Sequence, residues 1–161
     1  MVKTMIADIQ FKKFNSEILS DVSTYIKEYL NEHKNDNIEL IIGTDSQNKG
    51  SKTTYSTVIA MYNPGHGAHC IYRKWHERKE TVRSVRLLHE VEMSLEIAEN
   101  LKKEGINQIN YIDIDINPNP KFKSNEVYQT AKGWVESMGY EVRYKTLCPL
   151  VTSAADWIVK S

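Results

Sequence analysis

Acidic side chains lie in or directly after two apolar segments, where an uncompensated carboxylate is costly to bury. Asp45 follows the apolar run at 38–42, and Asp113 and Asp115 share one face of the alternating run at 109–116. We interpret both runs as strands. If they are parallel neighbours, Asp45 and Asp115 leave the sheet at the same edge, where open α/β sheets place their sites.

Two further acids lie on predicted helices. Glu90 falls on a helix flank with small and apolar side chains, whereas Glu92 falls on the opposite, charged flank. Asp156 lies in the first turn of a short C-terminal helix, where the helix dipole alone favours an acid. Glu90 is therefore the stronger candidate for a site, and Asp156 has a plain structural alternative.

These acids form a set without histidine or cysteine, which favours a hard divalent cation. Mg²⁺ takes oxygen ligands at ~2.0–2.1 Å, keeps several waters and is completed by substrate phosphates. Two such ions ~3.5–4 Å apart activate an attacking water and stabilise the leaving oxygen in phosphodiester hydrolysis. We therefore expect Mg²⁺ or Mn²⁺ at this site, with two ions as the expected number.

The elements that position these acids indicate one α/β domain over 1–161. Periodicity and turn residues predict helices and strands at 16–33, 38–42, 53–62, 68–75, 84–104, 109–116, 125–138, 141–146 and 154–160, in the order helix, three strands, helix, strand, helix, strand, helix. Short connections favour an antiparallel meander, and helical crossovers favour parallel strands. We expect a five-stranded mixed sheet with helices on both faces, and an extra N-terminal helix at 16–33 packed on or appended to the core at 38–160.

Composition narrows the class of protein. The 161 residues contain 21 Lys+Arg and 21 Asp+Glu, so the formal net charge is zero, which argues against binding of nucleic acid by bulk positive charge. Cys70 and Cys148 lie far apart and show no metal-ligand spacing, which favours a reducing compartment. No apolar run is long enough for a membrane span. We expect a cytoplasmic protein without a membrane partner.

Basic residues are candidates for weak contacts to phosphate. The segment 73–86 holds six basic and two acidic residues, and its plain alternative is a solvated connection. His89, beside Glu90, is either a proton-transfer group or a packing residue. The candidates for nucleic-acid binding are Arg73, Lys74, Arg78, Lys79, Lys123 and Lys145.

Five stretches carry a resemblance to a known family: 41–47 (Ile-Ile-Gly-Thr-Asp-Ser-Gln), 90–98, 115–118, 123–125 and 154–156. The first is the most specific of them. Together they resemble the ribonuclease H-like superfamily and, within it, the YkuK family. The resemblance implies a five-stranded mixed sheet with catalytic acids on the first strand, the first core helix, the fourth strand and the last helix.

The resemblance also implies roles for the acids. Asp45 would be the central acid that bridges two ions, Glu90 and Asp115 would flank it, and Asp156 would complete the second metal site, while Asp113 is either a ligand or a supporting group. The implied function is a metal-dependent nuclease that hydrolyses nucleic acid. The alternative is a non-catalytic module that binds nucleic acid or a protein partner, with the N-terminal helix as the candidate partner surface.

Overall fold

The sheet contains seven strands within residues 10–116, 121, 125–144 and 158, which are the residues that the computed structural model describes. In chain order the elements are β1 (Phe11–Lys13), β2 (Ile18–Leu19), α1 (Val22–Glu32), β3 (Glu39–Lys49), β4 (Lys52–Asn63), β5 (Gly67–Arg78), α2 (Arg83–Lys103), β6 (Ile109–Ile114), α3 (Asn125–Ser137) and β7 (Glu141–Tyr144). Their order across the sheet is β2-β1-β5-β4-β3-β6-β7.

The central strands pair as the sequence predicts. β3, β4 and β5 form an antiparallel meander, in which Ile59 lies opposite Ile42 on one side and Ile71 on the other. β6 pairs with β3 in parallel, with Ile112 opposite Ile42, and β7 pairs with β6 in parallel. β3 continues through Asp45 as far as Lys49, so this acid lies within a paired strand.

The predicted strand count and the predicted helix at 16–33 are wrong at the N-terminal end. Ile18 and Leu19 form β2, which pairs with β1, and β1 pairs in turn with the edge of β5. Ser16 has φ of 68°, a left-handed conformation that interrupts a right-handed helix. Helix α1 begins only after Asp21, whose side chain accepts a hydrogen bond of 3.0 Å from the Thr24 backbone N–H.

The two faces of the sheet differ in what covers them. Leu40 and Ile42 face the larger core, to which α1, α2 and α3 contribute. Ile41 lies on the other face, in a smaller cluster with Val58, Ala60 and Ile158. Ile158 is helical and buried, and the rest of the predicted helix at 154–160 lies outside the described residues.

Helix α2 is the longest helix in the described part of the chain, and it closely follows the predicted range of 84–104. Its buried face carries Val91, Leu95, Ala98 and Leu101, which pack on the sheet. Within the described ranges, no helix combines the length and apolar character needed to cross a membrane.

The position of Asp21 gives a direct test of where α1 begins. Replacing an N-cap acid with alanine costs about 1 kcal/mol, because a backbone N–H of the first turn loses its acceptor. We expect Asp21→Ala to lower the free energy of unfolding, measured by urea titration, by about this amount. Glu28→Ala, at an exposed position within α1, is the matched control. Equal stability of the two variants would contradict a helix start at this residue.

Candidate active site

The parallel pair of β3 and β6 brings three aspartates to one edge of the sheet. Gly43 lies opposite Asp113, Asp45 and Asp115 each follow that pair by two residues, and both line one groove. The printed pairing of β3 with β6 ends at Gly43 and Asp113, and Asp115 directly follows Ile114, the last residue of β6. Asp45 and Asp113 are 7% and 2% exposed, and Asp115 is half-buried.

Helix α2 supplies the fourth acid. Glu90 is 6% exposed, and the Ser46 hydroxyl donates a hydrogen bond to its Oε1 atom. One turn later, Ser94 Oγ lies 2.8 Å from Thr44 Oγ1, which also lies 2.9 Å from Thr57 Oγ1. These hydroxyl contacts hold α2 against β3 and β4. The predicted difference between the two glutamates is confirmed, because Glu92 is half-exposed.

Two adjoining depressions contain these acids. A narrow crevice is lined by Glu90, Asp113 and Asp115 among other residues. The neighbouring groove, of about 210 Å³, is lined by Asp45, Glu90 and Asp115. Glu90 and Asp115 line both depressions, so the crevice and the groove adjoin each other. We refer to Asp45, Glu90, Asp113 and Asp115 as the acid cluster and to the larger depression as the acid groove.

Burial and neighbouring negative charges both act on the carboxyl of Glu90. Burial raises the pKa of its carboxyl well above the usual range, and the negative charges of Asp45 and Asp115 raise this pKa further. The Ser46 hydroxyl and the Arg86 guanidinium act in the opposite direction. Glu90 therefore binds a proton more readily than an exposed glutamate does, unless a cation compensates the cluster.

The donor chemistry of the acid cluster fits a hard divalent cation. It consists of carboxylate oxygens alone, which suit Mg²⁺ and Mn²⁺ and do not suit soft metals. In the parts of the chain that the structure describes, no three His, Cys, Asp or Glu side chains are already arranged as a metal-binding group. Carboxylates that share a groove repel one another without a cation. Asp156, the fourth acid of the sequence prediction, lies outside the described residues.

The predicted basic residues take different places in the fold. Arg73 is half-buried, with its guanidinium 4.0 Å from the Trp75 ring centre, and burial lowers its pKa to about 10. Lys74, Arg78 and Lys79 are exposed. None of these four residues lines the acid groove. Lys123 and Lys145 lie outside the described residues.

The structure directs His89 away from the acid groove. Its two ring nitrogens lie 2.9 Å from carboxylate oxygens of Glu77 and Glu92, and its ring meets Tyr55 edge-on at 5.0 Å. His89 lines a separate depression on the other flank of α2. These contacts favour the packing interpretation of this histidine over proton transfer at the acid cluster.

Sequence reasoning did not single out three residues that line the acid groove. Ser46 follows Asp45 on β3, and Arg83 and Arg86 lie in the first turn of α2. The arginines precede Glu90 by seven and four residues, a spacing that places all three on one side of a helix. The spacing of the two arginines from Glu90 along the helix could have identified them. The overall charge of the segment 73–86 does not reveal this spacing.

Comparison with known families agrees with this arrangement. A family model described as ribonuclease H-like matches residues 21–160, which include β3, α2, β6 and the acid cluster. The protein therefore belongs to the ribonuclease H-like family. Membership indicates an activity related to nucleic acid. A search of curated proteins found no match.

The raised pKa of Glu90 predicts a specific dependence of stability on pH. Since the folded state holds this proton more tightly than the unfolded state, stability falls as pH rises from the unfolded pKa, about 4.3, through the higher folded pKa. Replacing Glu90 with glutamine removes this penalty. We expect Glu90→Gln, in chelator, to be more stable than wild type at pH 8 and to lose this advantage towards pH 4.

Urea unfolding at several pH values measures this effect. Glu96→Gln, a half-exposed position on the same helix, is the control for the loss of a carboxylate from α2. A glutamine variant at position 90 that gains no stability at alkaline pH would show that the carboxylate is not destabilised in the folded protein.

Proposed function

We propose that the protein is a metal-dependent nuclease that hydrolyses phosphodiester bonds of nucleic acid. The observation that carries the proposal is the convergence of Asp45 from β3 and Asp115, directly after β6, with Glu90 from α2 in one groove. Membership of the ribonuclease H-like family supports it. We also propose that the chain belongs to the YkuK group within that family, on the basis of the stretch 41–47.

The acid cluster would hold Mg²⁺ or Mn²⁺ through Asp45, Glu90 and Asp115. We propose two ions, with Asp156 completing the second site and Asp113 acting as a ligand or as a support for one. When bound, divalent cations would supply Lewis-acid activation of a phosphate and neutralise the carboxylates. Substrate binding would be weak and assisted by the cations, because the chain has no net positive charge.

The residues of the chain would prepare the site in distinct ways. Asp45 lies in a paired region of β3, so its position is fixed by the backbone. Ser46 donates to Glu90 and favours its ionised form, which is the form that binds a cation. Thr44 and Ser94 hold the turn of α2 that follows Glu90. The site would thus be organised before substrate binds, which lowers the reorganisation needed for reaction.

A nuclease assay tests the proposed activity. We expect the wild-type protein to cut at least one substrate in a panel of RNA–DNA hybrid, double-stranded RNA, single strands and branched DNA, in the presence of Mg²⁺ or Mn²⁺. Asp45→Asn should reduce the rate by about 100-fold or more, since loss of one well-placed charge removes roughly 3 kcal/mol of transition-state stabilisation.

Asp36→Asn, an exposed substitution far along the chain from the acid cluster, controls for general effects on the protein. If the wild type cuts none of these substrates, or if Asp45→Asn cuts as fast as the wild type, the proposal fails. Binding of nucleic acid without cutting would favour the non-catalytic alternative.

Thermal unfolding tests cation binding independently of activity. A cation that binds only the folded state at about 100 times its Kd adds about 2.7 kcal/mol of stability. For a domain of this size we expect saturating Mn²⁺ to raise the Tm by several degrees. Asp45→Asn should lose most of this shift, and Asp36→Asn should keep it. An equal shift in all three proteins would place the bound cation outside the acid cluster.

A further inference from the structure

Arg83 and Arg86 lie on the same side of α2 as Glu90 and line the acid groove with it. At 100° and 1.5 Å per residue, Arg86 lies about 40° from Glu90 around the helix and about 6 Å along it. Arg83 lies about 20° from Glu90 and about 10 Å along the helix. The two arginines therefore form a short basic row that leads to the acid cluster.

A contribution to the stability of α2 does not explain why two arginines lie at the start of this helix. The first turn of a helix carries a partial positive charge, so basic residues there are unfavourable and acidic residues are favoured. The first turn of α2 contains both arginines and no acid, and its N-cap residue, Val82, offers no side-chain acceptor. The basic residues that do suit the dipole, Lys102 and Lys103, lie in the last turn.

Arg86 also carries a donor that the described part of the protein leaves unused. Its Nε atom is buried, and no described group accepts a hydrogen bond from it. A buried donor without an acceptor is destabilising, and such groups commonly have a functional reason. The Arg86 side chain as a whole is half-buried, and a planar guanidinium matches the oxygens of a phosphate in a two-bond arrangement.

We propose that Arg86, with Arg83 one turn before it, binds a backbone phosphate of the nucleic acid and thereby sets the position of the strand relative to the acid cluster. This inference rests on the proposed function and names the residues of that site that recognise the substrate. Under this proposal the principal phosphate contacts are Arg83 and Arg86 and not the basic residues of β5. Arg83 and Arg86 line the acid groove, whereas Lys74 and Arg78 do not.

Binding of a labelled oligonucleotide tests the proposal without relying on cleavage. Fluorescence anisotropy is measured on Asp45→Asn protein in Mg²⁺, so that the substrate stays intact, with a single strand and an RNA–DNA hybrid as probes. Each affinity is measured between about 50 and 200 mM salt, because every phosphate contact contributes roughly 0.7–0.9 to the slope of log affinity against log salt.

In this background, Arg86→Gln should weaken binding by about tenfold or more and reduce the salt slope by about one. Arg83→Gln should reduce the slope by a similar amount, and it provides a second variant should Arg86→Gln fail to fold. Arg86→Lys should keep most of the slope and recover only part of the affinity, since lysine keeps the charge without the planar fork. Lys103→Gln removes one charge from the far end of α2 and should change neither quantity.

The outcomes separate the two proposals. If wild-type protein cuts nucleic acid while the Arg86→Gln and Arg83→Gln proteins bind with unchanged affinity and slope, the phosphate contact is wrong and the nuclease proposal stands. If Lys103→Gln weakens binding as much as Arg86→Gln does, the effect is one of total charge and the inference is also wrong. If the wild type neither cuts nor binds any probe, both proposals fail.

Discussion

The main physical constraint on this structure is the free-energy cost of burying several carboxylates in one region of the protein. Asp45, Glu90 and Asp113 are each less than one-tenth exposed, and a buried charge needs a partner or a change in its protonation state. The surroundings supply partial compensation through the Ser46 hydroxyl and the Arg86 guanidinium, yet the pKa of Glu90 stays raised. Such an arrangement is poor for stability and typical of a functional site.

The acid cluster is held by two kinds of interaction. Asp45 and Asp113 lie in two strands that pair in parallel through backbone hydrogen bonds, which side-chain substitutions alter little, and Asp115 directly follows the second strand. Glu90 depends instead on how α2 sits on the sheet, and this placement is braced by the hydroxyls of Thr44, Thr57 and Ser94. Small movements of α2 would therefore change the distance from Glu90 to the aspartates of the sheet.

The sequence predicted the parts of the fold whose signals are local. The alternation at 109–116 and the turn-rich connections predicted the mixed core sheet, and helical phase predicted burial of Glu90. The hairpin of β1 and β2 was missed, because Ile18 and Leu19 also fit a helical stripe. Ile18 and Leu19 pair with β1, and β1 pairs in turn with the distant strand β5, a long-range pairing that leaves no periodic signal in the sequence.

The charges in the acid groove make cation and phosphate binding mutually dependent under the proposed function. Arg86 lowers the pKa of Glu90, so it compensates the acid cluster in part. A phosphate bound to Arg86 would weaken that compensation, and a divalent cation among the carboxylates would restore it. By linkage, each ligand would then raise the affinity for the other by the same factor. A formal net charge of zero is compatible with this arrangement, because local placement of charge governs the site and the total governs only the long-range field.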